Sequence, residues 1–247
     1  MTDLCLPFDL YRDIAVIRCL NRLGTANLLQ HNFKASLYYF AQALERIKNF
    51  NSQKNGFYKE SRAWFNTISN DAPLRASNQR ALEPLALDVS THDIHWHCIA
   101  ATTVLHNIAL VYATVGDFST SKKMLNFAVA LIKEEMEERD LNELLHEESR
   151  AVLIVSVYMS LAVVMDQLST QLPSYLTQVL RVFNIVIGLG RRYLRQHPIM
   201  SNAYQRMAHV LLQSGHTQEA LMAFDMAYEI RYWSIDEYFT HNHAPAA

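Results

Sequence analysis

The chain has 247 residues, 50% of them hydrophobic and 19% charged, with a formal net charge of −2. That is the balance of a folded chain with ample core, and it exerts no global electrostatic pull toward nucleic acid or an anionic membrane. Six glycines and six prolines are too few for the turns of an all-β fold, and three cysteines (Cys5, Cys19 and Cys98) with no CxxC spacing imply no disulfide framework, so a reducing, cytoplasmic setting is expected.

The opening residues, MTDLCLPFDLYRD, carry acids early and lack the basic start and apolar run of a signal peptide. Helical periodicity then predicts a helix from Phe8 to Gln30 and a second from Phe33 to Phe50. Asn51 to Ser90 breaks the pattern. It is rich in Asn, Ser and mixed charge, holds Pro73 and Pro84, and has no steady hydrophobic period, so a flexible or loosely packed insertion is expected at 51–90, with a short helix over Lys59 to Ile68. Helices resume over Asp93 to Val115, Ser119 to Arg139, Leu141 to Leu168, Ser174 to Leu194, Ile199 to Ser214 and Thr217 to Phe239. Gly116-Asp117 and Gly215-His216 mark turns, Pro173 precedes a helix start, and Pro198 follows the basic end RRYLRQ. The longest uncharged apolar run, Ala151 to Met165, falls short of the roughly 20 residues a bilayer needs. It is expected to be a helix at the centre of an all-α protein.

A spacing repeats along these helices. The pairs Leu23-Gly24, Ile108-Ala109 and Met207-Ala208 each join a large residue to a small one. Ser36, Ser121 and Ala220 follow the small member by 12 residues, Phe40, Leu125 and Phe224 come four later, and Ala43, Ala128 and Ala227 three after that. Close packing of two antiparallel helices asks for small side chains where the backbones cross and large ones around the crossing. A degenerate fourth copy places Tyr158, Leu161-Ala162 and Met165 on one helix and Val179, Phe183 and Val186 on the next, with a longer turn between.

These offsets resemble the tetratricopeptide repeat. The resemblance implies a single domain over 1–247, an array of about four antiparallel helical hairpins stacked into an α-α superhelix, with the insertion between the first two. It further implies a non-enzymatic scaffold whose first helices line a concave face that takes a peptide or partner helix. The residues beside each large-small pair would point into that face: Arg18, Asn21, Arg22 and Thr25; Thr103, His106, Asn107 and Leu110; Asn202, Gln205, Arg206 and His209. Asparagine and glutamine can satisfy a peptide backbone and arginine can grip a carboxylate at two points, so an acidic or C-terminal segment is the expected ligand. In the subfamily that clamps chaperone C-termini, Asn107 and Arg206 have counterparts, whereas Asn21, Thr25 and Asn202 depart from its lysine and asparagine set. No cofactor, nucleic acid or membrane partner is implied.

Two other patterns bear on chemistry. THDIHWHC, Thr91 to Cys98, gathers three histidines and a cysteine, the ligand types zinc prefers. A helical metal protein or enzyme built on His92 to Cys98 is the competing reading. On a helix, though, His92 and His95 share a face while His97 turns away, and Thr91 with Asp93 reads as an ordinary helix start. Glu143-Leu-Leu-His146 matches half of a di-iron motif but has no second copy. The acidic stretch Glu134 to Glu148 around it reads as a solvated helix end.

Overall fold

A computed structural model of the chain describes residues 8–50, 83–87, 96–138, 148–170, 175–195 and 197–242. The described residues form eight helices and no strand: α1 (Phe8–Leu29), α2 (Phe33–Phe50), α3 (Trp96–Thr114), α4 (Phe118–Glu138), α5 (Glu148–Ser169), α6 (Leu176–Tyr193), α7 (Pro198–Gln213) and α8 (Thr217–Asn242). Where the expected boundaries fall on described residues, they agree within a residue or two, except that the last helix runs three residues past Phe239 to Asn242. The expected helix over Lys59 to Ile68, most of the 51–90 insertion, Pro173 and the first residues expected in the third and fifth helices lie outside the described residues. The chain divides into two compact units, Met1–Glu138 and Arg139–Ala247, and each holds two helical hairpins.

Three hairpins close on the same turn. At the end of α1, Asn32 N–H donates to Asn27 O at 2.8 Å and His31 N–H to Leu28 O at 3.0 Å. Asp117 and Gly116 do the same to Tyr112 and Ala113 after α3, and His216 and Gly215 to Leu211 and Leu212 after α7. This is the six-to-one closure that satisfies a helix's last carbonyls, and it requires a left-handed residue just past the end. Gly116 (φ 87°) and Gly215 (φ 81°) supply it, and His31 adopts φ 58° in the first copy. The three left-handed residues each lie seven places after Gly24, Ala109 and Ala208, so the repeat read from side-chain size is also a repeat of backbone hydrogen bonding.

The small residues sit at helix crossings. Gly24 is so close to α2 that an added Cβ would lie 2.5–2.8 Å from the Phe40 ring. Ala109 and Ala208 are fully buried. Ser36 and Ser121 add polar ties: Ser36 Oγ donates to Gly24 O and Ser121 Oγ to Ala109 O, both at 2.8 Å. In the last hairpin, which has Ala220 at that place, the tie runs from the other helix, Ser201 Oγ donating to Ala227 O at 2.8 Å. In the fourth copy Ala162, Val179, Phe183 and Val186 are all buried, as its offsets predict.

Within each unit the second helix of one hairpin packs on the first helix of the next: α2 on α3, and α6 on α7. First helices also touch, α1 with α3 and α5 with α7. At the α6–α7 contact Gly190 abuts the Met200 side chain, and Arg191 Nε donates to Tyr204 Oη at 2.6 Å. Phe40, Ile47, Leu105, Ile108 and Leu125 fill the core of the first unit, Phe183 and Met200 that of the second. Helix α5 runs beyond the apolar stretch to 22 residues, giving it the length and hydropathy of a membrane-crossing helix; 72% of its most apolar window is buried inside the protein.

Candidate functional site

Positions 18, 21, 22 and 25 recur at helical spacing and so share one side of α1; positions 103, 106, 107 and 110 do the same on α3. Where the two helices meet, Asn21 and Asn107 face each other, 1% and 0% exposed. Two buried carboxamides need several hydrogen-bond partners between them. Asn107 Nδ2 donates to Asn21 Oδ1 at 3.0 Å, which uses one donor and one acceptor.

The chain's own insertion takes up the rest. Leu85 N–H donates to Asn107 Oδ1 at 2.8 Å, and Leu85 O accepts from Asn107 Nδ2 at 2.9 Å and from Asn21 Nδ2 at 3.2 Å. One carboxamide thus reads both polar groups of one residue. That is possible where the backbone is extended, since N–H and C=O of a residue then point to the same side. Local sequence favours this conformation: Pro84 has a fixed φ and pushes Glu83 before it out of the helical region. Burial alternates accordingly, with Leu85 half-buried, Ala86 exposed and Leu87 buried at 8% exposure.

His106 lies beside this network, fully buried, with Nδ1 3.4 Å from Asn107 Oδ1. Because a carboxamide oxygen only accepts, a hydrogen bond here requires the neutral ring to carry its proton on Nδ1. Burial disfavours the imidazolium and pulls the His106 pKa down to about 4, with the Asn107 contact opposing. The site therefore carries no charge from His106 at neutral pH. On the same side of α1, Thr25 Oγ1 is buried with no hydrogen-bond partner among the described residues, Arg18 is half-buried and Arg22 is exposed. On α3, Thr103 and Leu110 are each 2% exposed, and Thr103 Oγ1 donates back to Ile99 O at 2.9 Å. Of the eight site residues expected in this unit, Asn21 and Asn107 hold the segment directly, the arginines and Thr25 lie along α1, and Thr103, His106 and Leu110 are covered.

In the second unit, Arg206 occupies the register of Asn107. Burial lowers its pKa while the nearby Asp166 of α5 pulls it back up. Asp166 is pushed up by burial, against the pull of Arg206, a Ser169 hydrogen bond and His209. Its Oδ1 is buried with no hydrogen-bond partner among the described residues. The first helices thus bring polar side chains near one another in each unit: a hydrogen-bonded asparagine pair in one, and in the other an aspartate and an arginine that each favour the other's charged form. Asn202 and Gln205 accept from Arg231 Nη2 of α8 at 3.4 and 2.7 Å, and the exposed His209 stacks edge-on against Phe224 with centroids 5.2 Å apart. Asp166 escaped the sequence reading because it lies outside the offsets of the large-small pair. The Leu85 segment escaped it too; its one local signal is Pro84 followed by Leu-x-Leu.

His92, His95, Glu143 and His146 lie outside the described residues. His97 is half-buried and Cys98 is buried in α3, and among the described residues no group of three or more His, Cys, Asp or Glu side chains converges. No family model matches the sequence, and no curated protein matches it.

Proposed function

We propose that the chain is a tetratricopeptide-like scaffold, without catalytic activity, that binds an extended protein segment along the face formed by the first helices of a unit. The observation that carries this reading is the Asn107 carboxamide, which pairs with both the N–H and the C=O of Leu85 while Asn21 supports it. A face that grips one stretch of backbone has the chemistry to grip another, because backbone groups are common to every segment. The common turn of three hairpins, and the contact of each second helix with the next first helix inside a unit, support the repeat assignment. Arg18 and Arg22 beside Asn21, and Arg206 in the second unit, favour an acidic segment. The cysteine spacing supports a cytoplasmic setting.

Affinity capture with the wild-type chain and with an Arg22→Ala, Asn107→Ala, Arg206→Ala variant tests the site. The account expects a partner that the wild type recovers and the variant loses while keeping its helical circular dichroism. Equal recovery by both would remove these residues from the binding face.

A further inference from the structure

The segment seated on Asn21 and Asn107 belongs to the chain itself, and its composition is specific. It reads Glu83-Pro-Leu-Ala-Leu-Asp88, an apolar Leu-x-Leu centre with an acid at each end. The described part, 83–87, forms neither helix nor strand, and among the described residues the hydrogen bonds that hold it all run through the backbone of Leu85. Leu87 is buried and Leu85 half-buried, so the apolar positions are sheltered from solvent while Ala86 between them is exposed. A connection whose role is only to join α2 to α3 has no need of a two-point carboxamide clasp at one residue. On the same side of α1, Thr25 Oγ1 is buried with no hydrogen-bond partner among the described residues.

We infer that Glu83–Leu87 is a resident competitor, occupying the site in place of an external protein segment of the same class: extended, Leu-x-Leu at its centre, acidic at its flanks. This rests on the scaffold reading above and adds both the ligand class and its regulation. The tethered segment sits at a high effective concentration, so an external segment binds only in proportion to the fraction of molecules in which the site is vacated. Ligand entry is then an exchange, in which the Leu85 N–H and C=O release Asn107 and the same groups of the incoming segment replace them. The Asn21–Asn107 pair needs no rebuilding, since its mutual hydrogen bond does not involve the segment.

The test titrates a fluorescent peptide of residues 81–89 into the full-length wild-type chain and into a full-length variant carrying Pro84→Ser, Leu85→Ser and Leu87→Ser. The expected result is binding to the variant at least about tenfold tighter than to the wild type, with no competition from a scrambled peptide. Equal affinity for both chains, or no binding to a variant that keeps its wild-type helical content, overturns the proposal. Amide exchange of the unaltered chain gives a readout that does not depend on the variant folding. The Leu85 amide is expected to exchange at least about a hundredfold faster than the Ile108 amide, because the segment leaves without global unfolding. Exchange of both at one rate makes the segment a structural part and overturns the proposal. The scaffold reading fails separately: a partner recovered equally by the wild type and the serine variant, yet lost on the arginine and asparagine substitutions above, sinks the competitor and leaves the scaffold standing.

Discussion

At the scale of single residues, Asn107 is the side chain on which the site turns. It is fully buried, and its two polar atoms meet Asn21, Leu85 and His106. His106 makes the network sensitive to acid. An ordinary histidine titrates near 6.5, and this one has been brought down to about 4 by burial. Above pH 6.5 both the folded and unfolded chains keep it neutral, so it adds no pH dependence there. As pH falls from 6.5 toward 4 the unfolded chain takes up a proton that the folded chain refuses, and stability is lost, by about 3 kcal/mol in total. Urea unfolding across this range, wild type against His106→Asn, should show the loss only in the wild type. Parallel pH profiles would mean that His106 titrates freely. None of this was legible in the sequence. The helical period assigns His106, Thr103 and Leu110 to the same side as Asn107, but periodicity does not say what lies over a side, and here a neighbouring helix and a segment from the insertion lie over it.

At the scale of elements, the hairpins follow from side-chain size and turn chemistry. Gly24 and Gly188 separate the two uses of glycine. A methyl group at Gly24 would collide with the Phe40 ring, itself fully buried and unable to retreat, whereas one at Gly188 on α6 would meet nothing within 4 Å. Gly24→Ala should therefore destabilise the protein by about 1–3 kcal/mol. Gly188→Ala should stabilise it by about 0.5–1 kcal/mol, because alanine is the better helix former. Thermal melts of the two variants decide it; a harmless Gly24→Ala would mean that α1 and α2 cross elsewhere. This part of the fold was legible because close helix crossings leave a mark in composition: Gly24, Ser36, Ala109 and Ser121 stand out as small residues in a large-residue pattern. The hydrogen bonds that Ser36 and Ser121 send to the helix opposite were not legible, since a pattern built on size treats serine and alanine alike. The first turn was placed correctly between Gln30 and Phe33, but the left-handed backbone of His31, where the later copies have glycine, was not legible.

At the scale of the whole molecule, each compact unit repeats one plan with different polar chemistry. In the first, a neutral asparagine pair joins α1 to α3 and clasps the backbone of Leu85; in the second, Asp166 and Arg206 stand on the neighbouring helices α5 and α7, each holding the other toward its charged form against burial. The repeat was visible in the sequence as recurring offsets. The occupant of the first site was not, because an extended five-residue segment inside a long irregular insertion has no period of its own. The central claim is that recognition runs through the backbone of an extended segment, and chemical editing of that backbone tests it most directly. Peptides of residues 81–89, N-methylated at either Leu85 or Ala86, would be titrated into the serine-substituted full-length chain. Methylation at Leu85 removes the segment N–H that reaches Asn107, and the account predicts at least about tenfold weaker binding, with little change on methylation at Ala86. Equal effects at both positions, or none at Leu85, would contradict it.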